Sequence, residues 1–580
     1  MPENTDVTAK EFTVTFDALT AEGQAIGHLP PENNDGTRGL TLFCDGLLPE
    51  ETAGIRIISQ KKNFATAECL RLITPSPDRI EPFCPVYGEC GGCTLQHLSY
   101  AAQIAVKRHH VVSCLTRIAH QPAEHIESIT RPAIGMAFPY DYRNHMQYPA
   151  GETMTAAVGA ESDAVVVAGA AVPVAAGAPA VRDLQIGLYG RKSHTIVPHK
   201  ACRIAHPACE SIRRATEKFC LENGVYGYDE NTGIGFLRHL IVRVGVRTGE
   251  VMVMLVGHVR PEIENPFPVE AYVEYVKEQL KRDRRIYENI DTHASNKIPH
   301  DAAAAALPWM LKSVWLNCNP TGARQGQTVS FRKENQKLLW GKSNIREQIG
   351  DNMYIISPLS FFQVNTAQAE KLYDTVRAFA RGELAADAAH PSAPAVQPVC
   401  PEEIWPVDYA ETGITAPASA CTIEVPEAAA ADAAGTQILV DFYCGTGSIG
   451  LHLAKDAGLI IGIESNESAV LDARENAARN GIAHAEFRVA RAEDISPSNL
   501  PKKIDCIILD PPRSGCDPKL LTGVLKLAPP KIIYVSCDPA TMSRDIAILT
   551  TEKYGLKAVQ PVDMFPWSGH VESVVWLERV

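Results

Sequence analysis

Two hydrophobic rhythms divide this chain. Over residues 10 to 75 apolar and polar positions alternate, as in Phe12-Thr-Val-Thr-Phe16, with turn residues at Ala21-Glu-Gly23 and Asn33-Asn-Asp-Gly36. A period of two broken by such turns predicts a small β-barrel. Pro75-Ser-Pro77 marks its end, and a helical pattern runs from about Tyr100 to Ala119. Further on, Ile241-Val-Arg-Val-Gly-Val-Arg247 and Glu250-Val-Met-Val-Met-Leu-Val256 flank Thr248-Gly249 and predict a hairpin. The end of the chain changes rhythm again. Short β-branched runs at Gln437-Ile-Leu-Val440, Ile504-Asp-Cys-Ile-Ile-Leu509 and Lys531-Ile-Ile-Tyr-Val535 alternate with helix-like stretches, the pattern of an α/β unit around a parallel sheet.

Two segments carry no such period. Glu161 to Ala180 and residues 381 to 438 are low in complexity and poor in large apolar residues, so loops or disorder are expected there. The domains expected are a barrel at 8–75, a central unit at 76–350 with an insertion at 160–182, and an α/β unit at 351–580 with an insertion at 381–438. At 580 residues the chain is too long for one core.

Charge changes the picture less than it first suggests. The net charge of −13 argues against a nucleic-acid partner. Residues 381 to 438, however, hold nine acids against Arg381 alone, which is −8 of the −13 and leaves −5 elsewhere. The sixteen cysteines, several inside apolar runs, suit a reducing compartment rather than a disulfide framework. MPENTDVTAK has neither a basic nor an apolar leader region, and no run of about 18 apolar residues occurs, so a cytoplasmic protein without a membrane span is expected.

The chemistry gathers where the late strands should end. Asp441-Phe-Tyr-Cys-Gly-Thr-Gly-Ser448 follows the first run, and Glu464 closes Leu459-Ile-Ile-Gly-Ile463, placed to accept from a ribose hydroxyl. The glycine spacing fits neither GxGxxG nor a P-loop. That favours a ligand without a pyrophosphate, of which S-adenosylmethionine is the commonest. Asp510-Pro-Pro-Arg513 then gives a rigid extended exit that holds Asp510 toward the cleft, and Arg513 stands where enzymes methylating amino nitrogens carry an aromatic residue.

Cys537, in Ser536-Cys-Asp-Pro539, lies at the cleft end of the third run. A thiolate there could add to C6 of a pyrimidine and make C5 nucleophilic toward a sulfonium methyl group. The C5 proton must then leave before the cysteine can, so a general base is needed. Glu572, in His570-Val-Glu572 before the terminal run Ser573-Val-Val-Trp-Leu577, is the candidate. Upstream, Cys84, Cys90 and Cys93 share one tight glycine-rich loop, suited to zinc or an iron-sulfur cluster. Cys202 is the first candidate for a fourth ligand, Cys209 the second.

Together with Tyr142-Arg-Asn144, Leu237-Arg-His239 and Ser357-Pro-Leu-Ser-Phe-Phe-Gln-Val-Asn365, these motifs resemble those of the RNA 5-methyluridine methyltransferases, which act on uridine C5 in tRNA and large-subunit ribosomal RNA. The likeness covers nearly all of the chain outside the two insertions. It implies an α/β Rossmann-like S-adenosylmethionine-dependent domain, an amino-terminal TRAM barrel of the oligonucleotide-binding type, and a mixed α+β central domain. It also implies Cys537 as nucleophile, Glu572 as base, and Gln363, Tyr443, Ser448, Glu464 and Asp510 as donor-binding residues. Cys84, Cys90, Cys93 and Cys202 fall on ligands of a [4Fe-4S] cluster, which marks the ribosomal-RNA branch. Three residues depart from the pattern: Ser448 replaces a common asparagine, Arg491 a glycine or acid, and Asp538 an asparagine beside the nucleophile, where like charge should raise the thiol's pKa.

The expected function is methyl transfer from S-adenosylmethionine to C5 of a specific uridine in 23S ribosomal RNA, by a monomer, through a covalent adduct. A tRNA target is the alternative, and a noncatalytic RNA-binding protein or chaperone on the same fold is a second one. Such a target base must be turned out of its stack. Lys61, Lys62, Lys107, Arg108 and Arg143 are candidates for the accompanying phosphate contacts.

Overall fold

The computed structural model describes residues 11–29, 39–155, 164–167, 170–173, 181–230, 232–259, 267–293, 307–319, 333–384, 437–495 and 497–580. Strands β1 (Glu11–Leu19), β2 (Ala25–His28), β3 (Thr41–Cys44), β4 (Thr52–Gln60) and β5 (Phe64–Thr74) close into the expected barrel, in the order β1-β2-β3-β5-β4. Its alternation is the cause: Val14, Phe16, Leu42, Ile55 and Ile57 point inward, while Thr13, Thr15, Arg56 and Ile58 beside them meet solvent.

Helix α1 (Tyr100–Arg117) follows, started by Ser99, whose hydroxyl accepts from the Ala102 amide at 3.3 Å. A six-stranded sheet forms the central unit, in the order Gln336–Gly341, Met310–Cys318, Glu250–Gly257, Leu237–Val244, His145–Thr155, Val181–Ile186. The predicted hairpin is its centre, and Gly249 turns it at φ +67°. The expectation of loop or disorder over 161–180 needs correction in part: Ala164–Val167 and Ala170–Pro173 pair as antiparallel strands, as their β-branched valines favour. Within the second insertion, 385–436 lie outside the described residues.

The last unit is a seven-stranded sheet ordered Ala485–Val489, Ala457–Glu464, Gln437–Phe442, Cys506–Leu509, Lys531–Ser536, Glu572–Arg579, Tyr554–Val562. It is not wholly parallel. Glu572–Arg579 inserts antiparallel between Lys531–Ser536 and Tyr554–Val562. Both faces are covered, so its inner strands are buried along most of their length rather than alternating, whereas the edge strand Ala485–Val489 buries Phe487 alone. On one face Val111, Val112 and Leu115 of α1 share the sheet's core, so the helix leaving the barrel is built into this unit. Among the described residues no helix is long and apolar enough to cross a membrane.

Candidate active site

Register brings the separated motifs to one sheet edge. Phe442 is paired with both Ile463 and Leu509, so Tyr443, Glu464 and Asp510, each one residue further on, emerge side by side. Ser536 pairs with Ser573 across antiparallel strands, which sets Cys537 opposite Glu572. Gln363 lies elsewhere, in the loop before helix Thr366–Arg381, where its carbonyl accepts from Asn144 Nδ2 at 3.1 Å. That bond explains why Tyr142-Arg-Asn144 and Ser357–Asn365 belong together.

The loop after Gln437–Phe442 is tightly wound. Tyr443, Gly445 and Gly447 all have positive φ, +63°, +55° and +77°. For a tyrosine this costs about 1–3 kcal/mol, so the surroundings must hold it. They do: the Gly445 amide donates to Glu464 at 3.2 Å, the Gly450 amide to Asp441 at 3.1 Å, and the Tyr373 hydroxyl to Ser448 Oγ at 3.0 Å. Glu464 also accepts from the Asn466 amide at 2.7 Å, which orients its carboxylate at the strand end.

Buried acids accumulate here. Asp441 is pushed up to about 8 by burial first and then by repulsion from Asp510 and Glu464, and Asp510 to about 7 by burial. Glu572 is raised to about 8 by burial and Asp510, with Arg513 opposing. Among the described residues no basic side chain offsets Asp441 or Asp510, and one Asp441 carboxyl oxygen is buried without a hydrogen bond. Such a site favours a cation that would let the carboxyls ionise.

Cys537 and Arg513 open onto a cleft of about 770 Å³, walled by His109, His110 and Arg117 of α1 and by barrel residues that include Asp17 and Glu22. Burial pushes the Cys537 thiol up to about 11, Glu572 and Asp510 add to the rise, and Arg513 opposes it through charge and a hydrogen bond. Here the expectation for Asp538 is corrected. Its carboxylate caps helix Pro539–Glu552, accepting from the Ala540 and Thr541 amides at 3.0 and 2.9 Å, and the like charge on the thiol comes from Glu572 and Asp510 instead.

Asp441 and Arg513 are the residues that reading for site positions passed over. Each stood inside a recognised motif, but that each influences a neighbouring site group needed the fold. Lys107 is removed from the phosphate-binding candidates: it is fully buried, with its ammonium 2.5 Å from Asp563. Arg108 is engaged as well, by Glu127 at 2.8 Å and the Thr130 carbonyl.

Cys84, Cys90, Cys93 and Cys202 line one small cavity with Phe83, Leu188 and Ile204, whereas Cys209 is buried on helix Pro207–Glu222 away from it. The loop is docked by Gly91 N to Tyr189 O and Arg191 N to Glu89 O, both 2.9 Å, so it meets the segment leading to Cys202. Among the described residues no three His, Cys, Asp or Glu side chains are gathered to hold one metal ion. Zinc would require the four sulfurs in a single tetrahedron.

Comparison with known proteins follows the same line. A family model described as tRNA (Uracil-5-)-methyltransferase matches residues 407–580. An uncharacterized RNA methyltransferase of Halalkalibacterium halodurans is 32% identical over 568 residues, 97% of this chain and 96% of that protein. Another from Clostridium acetobutylicum is 31% identical over 572 residues, covering 98% and 97%. Among solved structures, the Pyrococcus abyssi tRNA (uracil-54, C5)-methyltransferase in complex with S-adenosyl-L-homocysteine shares the fold at TM-score 0.60 and 22% identity, over 98% of this chain and all of that one.

Proposed function

The chain belongs to the RNA (uracil-5-)-methyltransferase family of S-adenosylmethionine-dependent enzymes, and from that premise we propose that it methylates C5 of a specific uridine in large-subunit ribosomal RNA through a cysteine adduct. The observation that carries the reading is the pairing of Ser536 with Ser573, which sets a thiol and a buried carboxyl face to face at the mouth of the α1–barrel cleft.

The steps follow from those two groups. Arg513 beside the sulfur favours the thiolate, and the thiol proton leaves through the open cleft. The thiolate bonds to C6, and the C5–C6 π electrons move toward the C4 carbonyl. C5 then takes the donor's methyl group, and the sulfonium becomes a neutral thioether. Glu572 removes the C5 proton, the C6–S bond breaks, and the thiolate returns with the C5–C6 double bond restored. Burial and Asp510 hold Glu572 near 8 in the donor-free protein. A sulfonium beside Asp510 would lower that value and free the base for its task.

Tyr443, Ser448, Glu464 and Asp510 would hold the donor, with Asp441 behind them and Gln363 from the adjoining loop. The cleft between α1 and the barrel would take the extruded nucleotide and its flanking strand, consistent with His109, His110 and Arg117, which α1 directs into it. Cys84, Cys90, Cys93 and Cys202, which line one small cavity, would be the thiols that hold a [4Fe-4S] cluster. It would serve as a structural clip between the 84–93 loop and Cys202, and this donor set supports the ribosomal target. The place of action would be the cytoplasm, with the enzyme a monomer.

A tRNA target is the second reading, favoured by the description of the matching family model. Transfer of labelled methyl groups to unmodified total RNA, followed by nuclease mapping, separates the two when run with wild type, Cys537→Ala and Glu572→Gln. Label as 5-methyluridine in large-subunit RNA, absent with Cys537→Ala, is expected. Label confined to tRNA would replace the target, and full transfer by Cys537→Ala would remove the nucleophile.

A further inference from the structure

Trp567 occupies a position that its own residue type disfavours. It is 2% exposed, yet its backbone sits at φ +68°, a conformation suited to glycine and rare for a bulky side chain. Four hydrogen bonds hold it there. Its amide donates to Gln103 Oε1 at 3.1 Å, its indole Nε1 to the Pro139 carbonyl at 2.6 Å, and its carbonyl accepts from the Thr94 and Leu95 amides, both at 3.0 Å.

Two of these partners bear on the cysteine loop. Thr94 directly follows Cys93, and Phe83, whose ring meets the Trp567 ring edge-on at 5.0 Å, directly precedes Cys84. Trp567 thus grips both ends of the segment that carries three of the four thiols. It also stands five residues before Glu572. The intervening chain has little slack: Gly569 lies so close to the Ala21 backbone that a Cβ would overlap its carbonyl oxygen, and Val571 is buried.

We propose that Trp567 is a positioning residue, joining the cysteine loop to the base-bearing segment so that order in the one sets the placement of Glu572 in the other. The proposal rests on the reading of Glu572 as the base that releases the adduct. Loss of the joint should impair proton removal and elimination, leaving donor binding and adduct formation in place, because the donor loop and Cys537 belong to other segments. Disorder in the 84–93 loop, whatever its cause, should have the same effect.

The test uses the full-length protein as wild type, Trp567→Gly, Trp567→Phe and Glu572→Gln. Trp567→Gly relieves the backbone but removes the ring, and Trp567→Phe keeps a ring against Phe83. Four quantities are measured: single-turnover product release, covalent protein–RNA complex on denaturing gels, donor affinity, and the alkylation rate of Cys84, Cys90 and Cys93 by mass spectrometry. For Trp567→Gly the expected result is turnover lower by ~10-fold or more, a fraction of what a positioned base supplies, with donor affinity held. Covalent complex should accumulate as in Glu572→Gln, and the three thiols should alkylate faster. Trp567→Phe should recover most of the turnover.

Wild-type turnover by Trp567→Gly, or slow turnover without trapped complex, overturns the proposal. If Glu572→Gln itself traps nothing, the assignment of the base fails first and the proposal falls with it; if Glu572→Gln traps and Trp567→Gly does not, only the joint is wrong. Should Trp567→Gly be insoluble, Cys90→Ser decides with Trp567 intact: trapped complex supports the coupling, and wild-type product release refutes it.

Discussion

Donor binding should be linked to protons, and the donor's charge should decide by how much. In the free protein Asp510 is raised to about 7 and Asp441 to about 8 by burial, without a compensating cation among the described residues. A sulfonium placed beside them favours their ionised forms, so binding releases protons and tightens as pH rises through these values. Counting Asp510 alone, and returning it to the ordinary carboxylate range in the complex, affinity should increase roughly a hundredfold between pH 5 and pH 8, about 3 kcal/mol. S-adenosylhomocysteine shares the nucleoside and amino-acid parts but lacks the sulfonium, so titration of those shared groups cancels in the comparison. Calorimetric dissociation constants for both ligands across this range should show the steeper pH dependence for S-adenosylmethionine. In Asp510→Asn that difference should largely disappear. Equal slopes for the two ligands, or tighter binding of S-adenosylmethionine at acid pH, would refute the reasoning.

Three further outcomes follow from the same geometry. Arg513→Gln should push the Cys537 thiol higher still, so the pH profile of its alkylation should move to more alkaline pH and methyl transfer at pH 7 should fall with donor affinity unchanged; an unmoved profile would exclude Arg513 from thiolate formation. Asp563→Asn removes the counter-charge of the fully buried Lys107 ammonium, leaving it only neutral acceptors such as the Phe565 carbonyl, and should cost about 3–5 kcal/mol. Because burial already depresses the Lys107 pKa, the loss should be largest at low pH and shrink as pH rises and the lysine goes neutral. Urea midpoints at several pH values measure it, and a pH-independent loss would contradict the argument. Gly569→Ala drives a methyl group into the Ala21 carbonyl, with a cost of about 1–3 kcal/mol. It should separate the barrel from the catalytic segment and weaken RNA binding in a filter assay while donor affinity holds; unchanged RNA affinity would show that this contact is not needed.

Local pattern carried much of the architecture. The barrel was legible because its strands alternate and its turns are marked, and the catalytic strands because each is a short β-branched run buried on both faces. The central hairpin was readable for the same reason, with Gly249 supplying the turn. By contrast, the antiparallel insertion of Glu572–Arg579 between two other strands left no local mark, since an apolar run reads alike in either direction. Nor did the pair Ala164–Val167 and Ala170–Pro173 stand out in a stretch otherwise lacking large apolar residues.

The motifs named residue types suited to chemistry at strand ends, but whether they met depended on register. Tyr443, Glu464 and Asp510 align because Phe442 pairs on both sides, and Cys537 faces Glu572 because Ser536 pairs with Ser573. Long-range pairing also overruled residue type. Lys107 looked like a surface cation, yet the fold buries it against Asp563, and Asp538 became a helix cap while Glu572 and Asp510 act on the thiol. Side-chain chemistry and local periodicity are properties of adjacent residues, so the sequence determined them alone. Burial, register and the sum of nearby charges arise between residues far apart along the chain, and only the tertiary structure could decide them.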